Sequence, residues 1–157
     1  MTDTRESWDS YFMRLALAAA DRGTCPRRKV GALLTQSNRL RATGYNGSPS
    51  GQPHCLDQGC LLNEEGRCKR TVHAEVNLLH DALPHQLTGG IVWVTDQPCP
   101  DCARALAGSA IQKVVYLRPY HDHLRKESED LLQSAGIELA KYQPIKTGDL
   151  EEFSSQQ

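Results

Sequence analysis

His73, Cys99 and Cys102 are of the types, and at the spacing, that hold zinc, and Glu75 stands two residues beyond the histidine. A catalytic zinc takes three protein ligands and keeps its fourth tetrahedral position for water, whereas a structural zinc fills all four. Three ligands therefore leave a place for a water whose pKa the metal can bring down to roughly 7. A carboxylate that is not itself a ligand can carry that water's proton, and Glu75 is placed for it. The chemistry this points to is metal-assisted hydrolysis.

Each half of the pattern has a plainer reading. A lone Cys-x-x-Cys serves equally as a redox pair or as half of a structural zinc site, and a lone His-x-Glu carries almost no information. Taken in order, His73-Ala74-Glu75 and then Pro98-Cys99-Pro100-Asp101-Cys102 resemble the H-x-E and P-C-x-x-C signature of the zinc deaminases, which displace ammonia from a nucleobase ring.

The surrounding pattern must position these groups. Trp8, Tyr11, Phe12, Leu15, Ala18 and Ala19 recur at helical spacing, with Gly23 where a helix cap is common. Val30 to Thr35 and Leu40 to Tyr45 flank a turn-like Gln36-Ser37-Asn38-Arg39 and predict a hairpin. Val72, Val76, Leu79 and Leu83 predict a helix whose first turn carries the histidine motif. Ile91 to Thr95 reads as a buried parallel strand, and Pro100 suits the first turn of the next helix. Lys113 to Leu117 predicts a strand, Leu124 to Ala135 a helix closed by Gly136, and Ile137 to Ala140 a last strand. This order predicts a three-layer α/β/α domain with a mixed central sheet. A polar tail from Lys141 onward is expected to fray.

At 157 residues the chain suits one domain, 1–157, with its core over about 8–140. The formal net charge of −1 and the 6% aromatic content favour a small substrate over a stable nucleic-acid partner. The N-terminus lacks a signal-peptide pattern, and no apolar stretch approaches the roughly 20 residues of a membrane span, so a cytoplasmic location with no membrane partner is expected. In a reducing compartment, six cysteines point to metal binding rather than disulfides.

Residues 46 to 72 form a connection well beyond ordinary loop length, rich in glycine and poor in large apolar side chains. Cys55, Cys60 and Cys68 lie in it, and Cys25 precedes the hairpin. Four thiolates would make a closed structural zinc site. Free buried thiols, or a site that uses His54, remain alternatives. The four-thiolate reading gives two Zn2+ per chain, one catalytic and one structural.

On a helix, Asn77 shares a face with His73 and could reach a substrate beside the metal; its plainer reading is a surface or capping polar residue. Asn46, ending the hairpin, could hydrogen-bond a sugar hydroxyl or base edge, or be an ordinary turn asparagine.

Three longer segments carry a more specific resemblance: Thr24-Cys25-Pro26-Arg27-Arg28-Lys29-Val30-Gly31-Ala32, Ala42 through Gly51, and Arg70 through Asn77. With Val94-Thr95, the cysteine motif and Tyr120-His121-Asp122, they resemble the deoxycytidylate (dCMP) deaminase family, in its bacterial late-competence and phage branch. The resemblance spans about residues 8 to 140. It implies conversion of dCMP to dUMP and ammonia, feeding thymidylate synthesis. It also implies His73, Cys99 and Cys102 as metal ligands, Glu75 as acid/base, the Ala74 N–H on the pyrimidine carbonyl, Asn46 on the sugar and Tyr120 beside the base. It further implies a homo-oligomer, commonly a hexamer, activated by dCTP and inhibited by dTTP. For the 5′-phosphate, Arg28, Arg70, His80 and His85 are candidates. The competing functions are a deaminase acting on a polynucleotide or a modified cytosine nucleotide, and a non-catalytic zinc or nucleotide-binding module.

Overall fold

Ser37 and Asn38 take positive φ values of 51° and 55° and reverse the chain between β1 (Gly31–Gln36) and β2 (Arg39–Tyr45). A two-residue loop with both residues left-handed is a type I′ turn, whose twist matches that of paired strands. The expected hairpin follows, with Gly31 opposite Tyr45 and Gln36 opposite Arg39. The computed structural model describes residues 3–120 and 123–151.

Three further strands, β3 (Ile91–Asp96), β4 (Lys113–Arg118) and β5 (Glu138–Lys141), complete a five-stranded sheet in the order β2-β1-β3-β4-β5. β1 is antiparallel to both neighbours, while β3, β4 and β5 run parallel. The helices are α1 (Trp8–Ala20), α2 (Cys55–Gln58), α3 (Ala74–Asp81), α4 (Pro84–Leu87), α5 (Pro100–Ala107) and α6 (Arg125–Ser134). Parallel neighbours need a crossover, and α5 and α6 supply those from β3 to β4 and from β4 to β5.

Successive side chains of a strand point to opposite faces, and here both faces are covered. Leu33, Trp93, Val115 and Leu117 pack with Phe12, Met13 and Ala16 of α1. Their neighbours Ala32, Leu34, Val92, Val94 and Val114 pack with Ala74 and Leu78 of α3, Ala103 and Leu106 of α5 and Leu132 of α6. The continuous apolar runs of β1, β3 and β4 thus follow from burial on both sides, and the expected α/β/α layering is present.

Two expectations are corrected. The helix predicted over 72–83 ends at Asp81, and Leu83 is exposed with an extended ψ of 145°. Pro84 disfavours helical geometry in the residue before it and starts α4 instead. The tail does not fray where it is described. Tyr142 is 1% exposed in the α1-side core, and its hydroxyl donates to the Leu150 carbonyl at 2.7 Å.

Asp149 closes this return. Its carboxylate accepts from the Ser7 N–H at 2.9 Å, the Ser7 hydroxyl at 2.7 Å and the Ile145 N–H at 2.9 Å, so the tail anchors the start of α1. Burial works to raise its pKa, but these donors outweigh burial and hold it at about 2, against an ordinary value of 3.8. A depressed carboxylate contributes stability that is complete above its unfolded value and lost as pH falls through the folded one. Asp149→Ala is therefore expected to lower the melting temperature at neutral pH. The gap to the parent should shrink as pH falls from 3.8 to about 2. Thermal melts across that range check it; a constant gap would show that the carboxylate's charge is not what anchors the tail.

Candidate metal centre and substrate pocket

Two helix starts meet at the pocket. His73 is the N-cap of α3 (φ −69°, ψ 154°) and Cys99 the N-cap of α5 (φ −72°, ψ 168°), and neither side chain caps its own helix. The two side chains turn toward each other instead. Pro100 occupies the first turn of α5. The turn before it is pinned by the Gln97 N–H on the Arg118 carbonyl at 2.9 Å and by the Ser128 hydroxyl on the Pro98 carbonyl at 2.6 Å.

His73 Nδ1 lies 3.2 Å from Cys102 Sγ and 3.5 Å from Cys99 Sγ, and the three ligand atoms fall within 4.8 Å of one another. A zinc tetrahedron built from ordinary Zn–S and Zn–N bonds has edges of about 3.6 Å between N and S and about 3.8 Å between two sulfurs. The donor set fits zinc in both type and separation. The unpaired N–H groups and positive ends of two helices face the thiols, which favours the thiolate form.

The electrostatics agree. Hydrogen bonding from Cys102, and then from His73, holds Cys99 down at about 4. His73 is raised to about 9, chiefly by its bond to Cys99. The Cys102 thiol is pushed up by its bond to Cys99, by burial and by Glu75. Glu75, 4% exposed, receives the Cys102 S–H at Oε2 across 3.4 Å. Burial raises its carboxyl to about 7, with the His73 charge pulling the other way. A carboxyl that titrates near neutrality can both take and return a proton at working pH.

These groups open on a cavity of about 460 Å³ whose lining includes His73, Ala74, Glu75, Cys99, Asn46 and Tyr120. Ala74 is the first residue of α3, so its N–H is among those a helix cannot satisfy internally. Asn46 is in the lining, but its amide is already engaged: Oδ1 accepts from the Val30 N–H at 2.8 Å and Nδ2 donates to the Arg28 carbonyl at 2.8 Å. One N–H and one lone pair remain for a ligand. Tyr120 ends the described segment; His121 and Asp122 lie outside the described residues.

Asn77 is corrected. Its amide donates to the Tyr45 carbonyl at 2.8 Å and it is absent from the cavity lining, so it ties α3 to the end of β2. Of the phosphate candidates, Arg28 lines the cavity, whereas Arg70 donates to the Gly59 carbonyl at 3.1 Å and neither His80 nor His85 is in the lining. Arg27, Arg67 and Asp96 line it too and were not singled out from the sequence. The signal for the two arginines was their closeness to Cys25 and Cys68. Asp96, 6% exposed, pairs with Arg118 Nη2 at 2.8 Å and sits 3.7 Å from Arg28 Nε.

The second group of cysteines also gathers. Cys25, Cys55 and Cys60 place their sulfurs within 4.8 Å of one another, and Cys68 Sγ lies 3.5 Å from Cys55 Sγ. Burial opposes ionisation of Cys68, but the N–H groups of Arg70 and Thr71 outweigh it and hold the thiol at about 6. Burial and the neighbouring thiols push Cys55 up to about 12. Thiols this close, one of them readily ionised, are a donor set suited to a soft divalent metal. His54 is not in the cluster; its Nδ1 is buried without a hydrogen-bond partner.

Fold and site together define a metal-dependent hydrolase with a built-in proton carrier. The model of the cytidine and deoxycytidylate deaminase zinc-binding region matches residues 6–118, and the chain belongs to that family. It is 37% identical over 135 residues to ComE operon protein 2 of Bacillus subtilis, covering 85% of this chain and 70% of that protein. It is 37% identical over 148 residues to the deoxycytidylate deaminase of Schizosaccharomyces pombe, covering 89% of this chain but 45% of that protein. Among solved structures it is similar to the dCMP deaminase of cyanophage S-TIM5 in complex with dCMP and dUMP. There the TM-score is 0.71 and the identity 28%, over 89% of this chain and 100% of that one. Among the described residues, no helix is long and apolar enough to cross a membrane.

Proposed function

We propose that this chain hydrolyses dCMP to dUMP and ammonia, supplying thymidylate synthesis. The observation that carries the reading is the buried Glu75 beside His73, Cys99 and Cys102, with Glu75, His73 and Cys99 facing one cavity that arginines also line. The deoxycytidylate deaminases among its relatives, and the dCMP and dUMP bound in the phage structure, support the choice of nucleotide.

His73, Cys99 and Cys102 hold the catalytic zinc, which supplies a Lewis acid that makes water ionisable at neutral pH. Glu75 takes one proton from the water and gives it to the ring nitrogen as oxygen bonds to the amine-bearing carbon. It then takes the second proton from the new hydroxyl and gives it to the amine as the C–N bond breaks and the carbonyl forms, so that ammonia leaves neutral. The Ala74 N–H binds the pyrimidine carbonyl, Tyr120 lies against the base and Asn46 offers its remaining hydrogen-bonding capacity to the sugar. Cys25, Cys55, Cys60 and Cys68 hold a second, structural zinc. The protein acts in the cytosol and assembles as a homo-oligomer, a hexamer, with dCTP activating and dTTP inhibiting.

The test is ammonia release by the zinc-loaded protein from dCMP, deoxycytidine and dCTP, each alone and with dCTP or dTTP as effector. Turnover of dCMP well above deoxycytidine is expected. Silence on all three would reject the reading in favour of a polynucleotide substrate, which strong salt-dependent oligonucleotide binding would then reveal.

A further inference from the structure

The segment between β2 and α3 has little with which to order itself. Leu56, Leu61 and Leu62 are 58%, 53% and 50% exposed. Its regular structure is the four residues of α2 and two isolated bridges, Gly47 to Val72 and Leu62 to Cys68. Apolar side chains left in water contribute nothing to holding a fold. What converges here is sulfur, three thiols of the segment with Cys25 from ahead of β1: Cys25 Sγ stands 3.7 Å from Cys60 Sγ, and Cys55 Sγ 3.5 Å from Cys68 Sγ.

Two of these cysteines, Cys25 and Cys68, also line part of the substrate cavity. Arg27 follows Cys25 by two residues and Arg67 immediately precedes Cys68, and all four residues line the cavity. Arg27 Nη1 donates to the Gly66 carbonyl at 2.9 Å, which joins the chain leaving Cys25 to the chain entering Cys68. Arg27 forms no ion pair among the described residues. Guanidinium groups offer paired N–H donors and a charge that stays on at any working pH, the chemistry that recognises a phosphate.

We propose that metal held by Cys25, Cys55, Cys60 and Cys68 fixes Arg27 and Arg67 against the cavity as an anion subsite. The four-cysteine cluster thereby sets the affinity for the nucleotide's phosphate, while proton transfer at Glu75 does not depend on it. The inference rests on the nucleotide reading of the pocket. Its physical basis is preorganisation: with the metal in place the arginines are ordered before the ligand arrives, and without it nucleotide binding must order them and weakens accordingly.

Cys60→Ser and Cys60→His test this. Zinc analysis is expected to find two ions per chain in the parent and in Cys60→His, which keeps a ligand at that position, and one in Cys60→Ser. Combined with Glu75→Gln to prevent turnover, each variant is titrated with dUMP and with deoxyuridine, which lacks the phosphate. Cys60→Ser should bind dUMP roughly tenfold or more weakly, as loss of a charge-assisted contact implies, with deoxyuridine affinity unchanged and Cys60→His close to the parent. In the Glu75 parent background, KM for dCMP should rise while kcat holds.

Equal weakening toward both ligands, or unchanged dUMP affinity in a chain that has lost one zinc, would overturn the proposal. Should Cys60→Ser fail to fold, Arg27→Ala carries the test. It leaves the cysteines intact, and must retain both ions yet show the dUMP-specific loss; full dUMP affinity there overturns the proposal. Because the titrations read binding alone, a parent that binds dUMP selectively yet releases no ammonia from dCMP would sink the deaminase reading and leave this one standing.

Discussion

Glu75→Gln is expected to abolish ammonia release while leaving both the fold and the zinc at His73, Cys99 and Cys102 in place. The substitution keeps the volume and polarity of a side chain that is 4% exposed, so packing against its surroundings is preserved. The lost function is the ability to exchange a proton. Burial has lifted this carboxyl to about 7, where both of its protonation states are populated near neutral pH, and an amide has only one. Positioned general acid–base catalysis contributes about a hundredfold to ten-thousandfold. That corresponds to about 3–5 kcal/mol of transition-state stabilisation. Here one group serves successive transfers, so the loss should reach at least the upper end. Ammonia release and zinc content measured on the same preparation check it, and substantial turnover with zinc retained would remove Glu75 from its assigned role.

Gly44→Ala should cost the most stability of any single methyl added to the molecule's site-bearing half. A Cβ at position 44 would stand 2.2 Å from the Ala74 carbonyl oxygen and 2.6 Å from the Leu78 nitrogen. Both are backbone atoms of α3, so no rotamer change relieves the clash and the helix itself must move. Overpacking of this kind costs about 1–3 kcal/mol and occasionally more, and the rigid obstacle argues for about 3 kcal/mol and a melting temperature lower by roughly 10 °C. The same displacement carries His73 and Glu75 away from Cys99 and Cys102, and about 1 Å of misplacement at reacting atoms can cost about a hundredfold in rate. Thermal melts and turnover should therefore fall together. Gly108→Ala is the control, since the nearest atom to a Cβ there is 3.9 Å away. A Gly44→Ala protein that melts and turns over like the control would mean that α3 is free to lift from the sheet.

The ligand set was legible in the sequence because metal chemistry depends on residue type and short spacing, and His73, Cys99 and Cys102 fall into two local motifs. The strands and helices were legible for a similar reason: burial imposes a period on the chain, and Ile91–Asp96 and Lys113–Arg118 carry it. The Ser37-Asn38 turn is local as well.

What the sequence left undecided is what depends on where a side chain's partners come from. Asn77 has the helical spacing to face the metal, yet the β2 carbonyl of Tyr45 lies closer and takes its amide. The tail looked free because its composition is polar, but Asp149 finds its donors at Ser7, across the whole chain, and no local pattern reports such a pairing. The end of α3 falls two residues short of Leu83 because Pro84 acts on its neighbour's backbone rather than through periodicity. Motif and period are properties of a few consecutive residues, so the amino-acid sequence by itself determined the donor group of His73, Cys99 and Cys102 with Glu75 beside it, and the layered α/β/α order. The arginines beside the cavity, the convergence of Cys25 with Cys55 and Cys60 and of Cys68 with Cys55, and the working partner of each polar side chain are contacts between distant segments. Only the packed tertiary structure, in which buried polar groups must take whatever partner is within reach, could decide them.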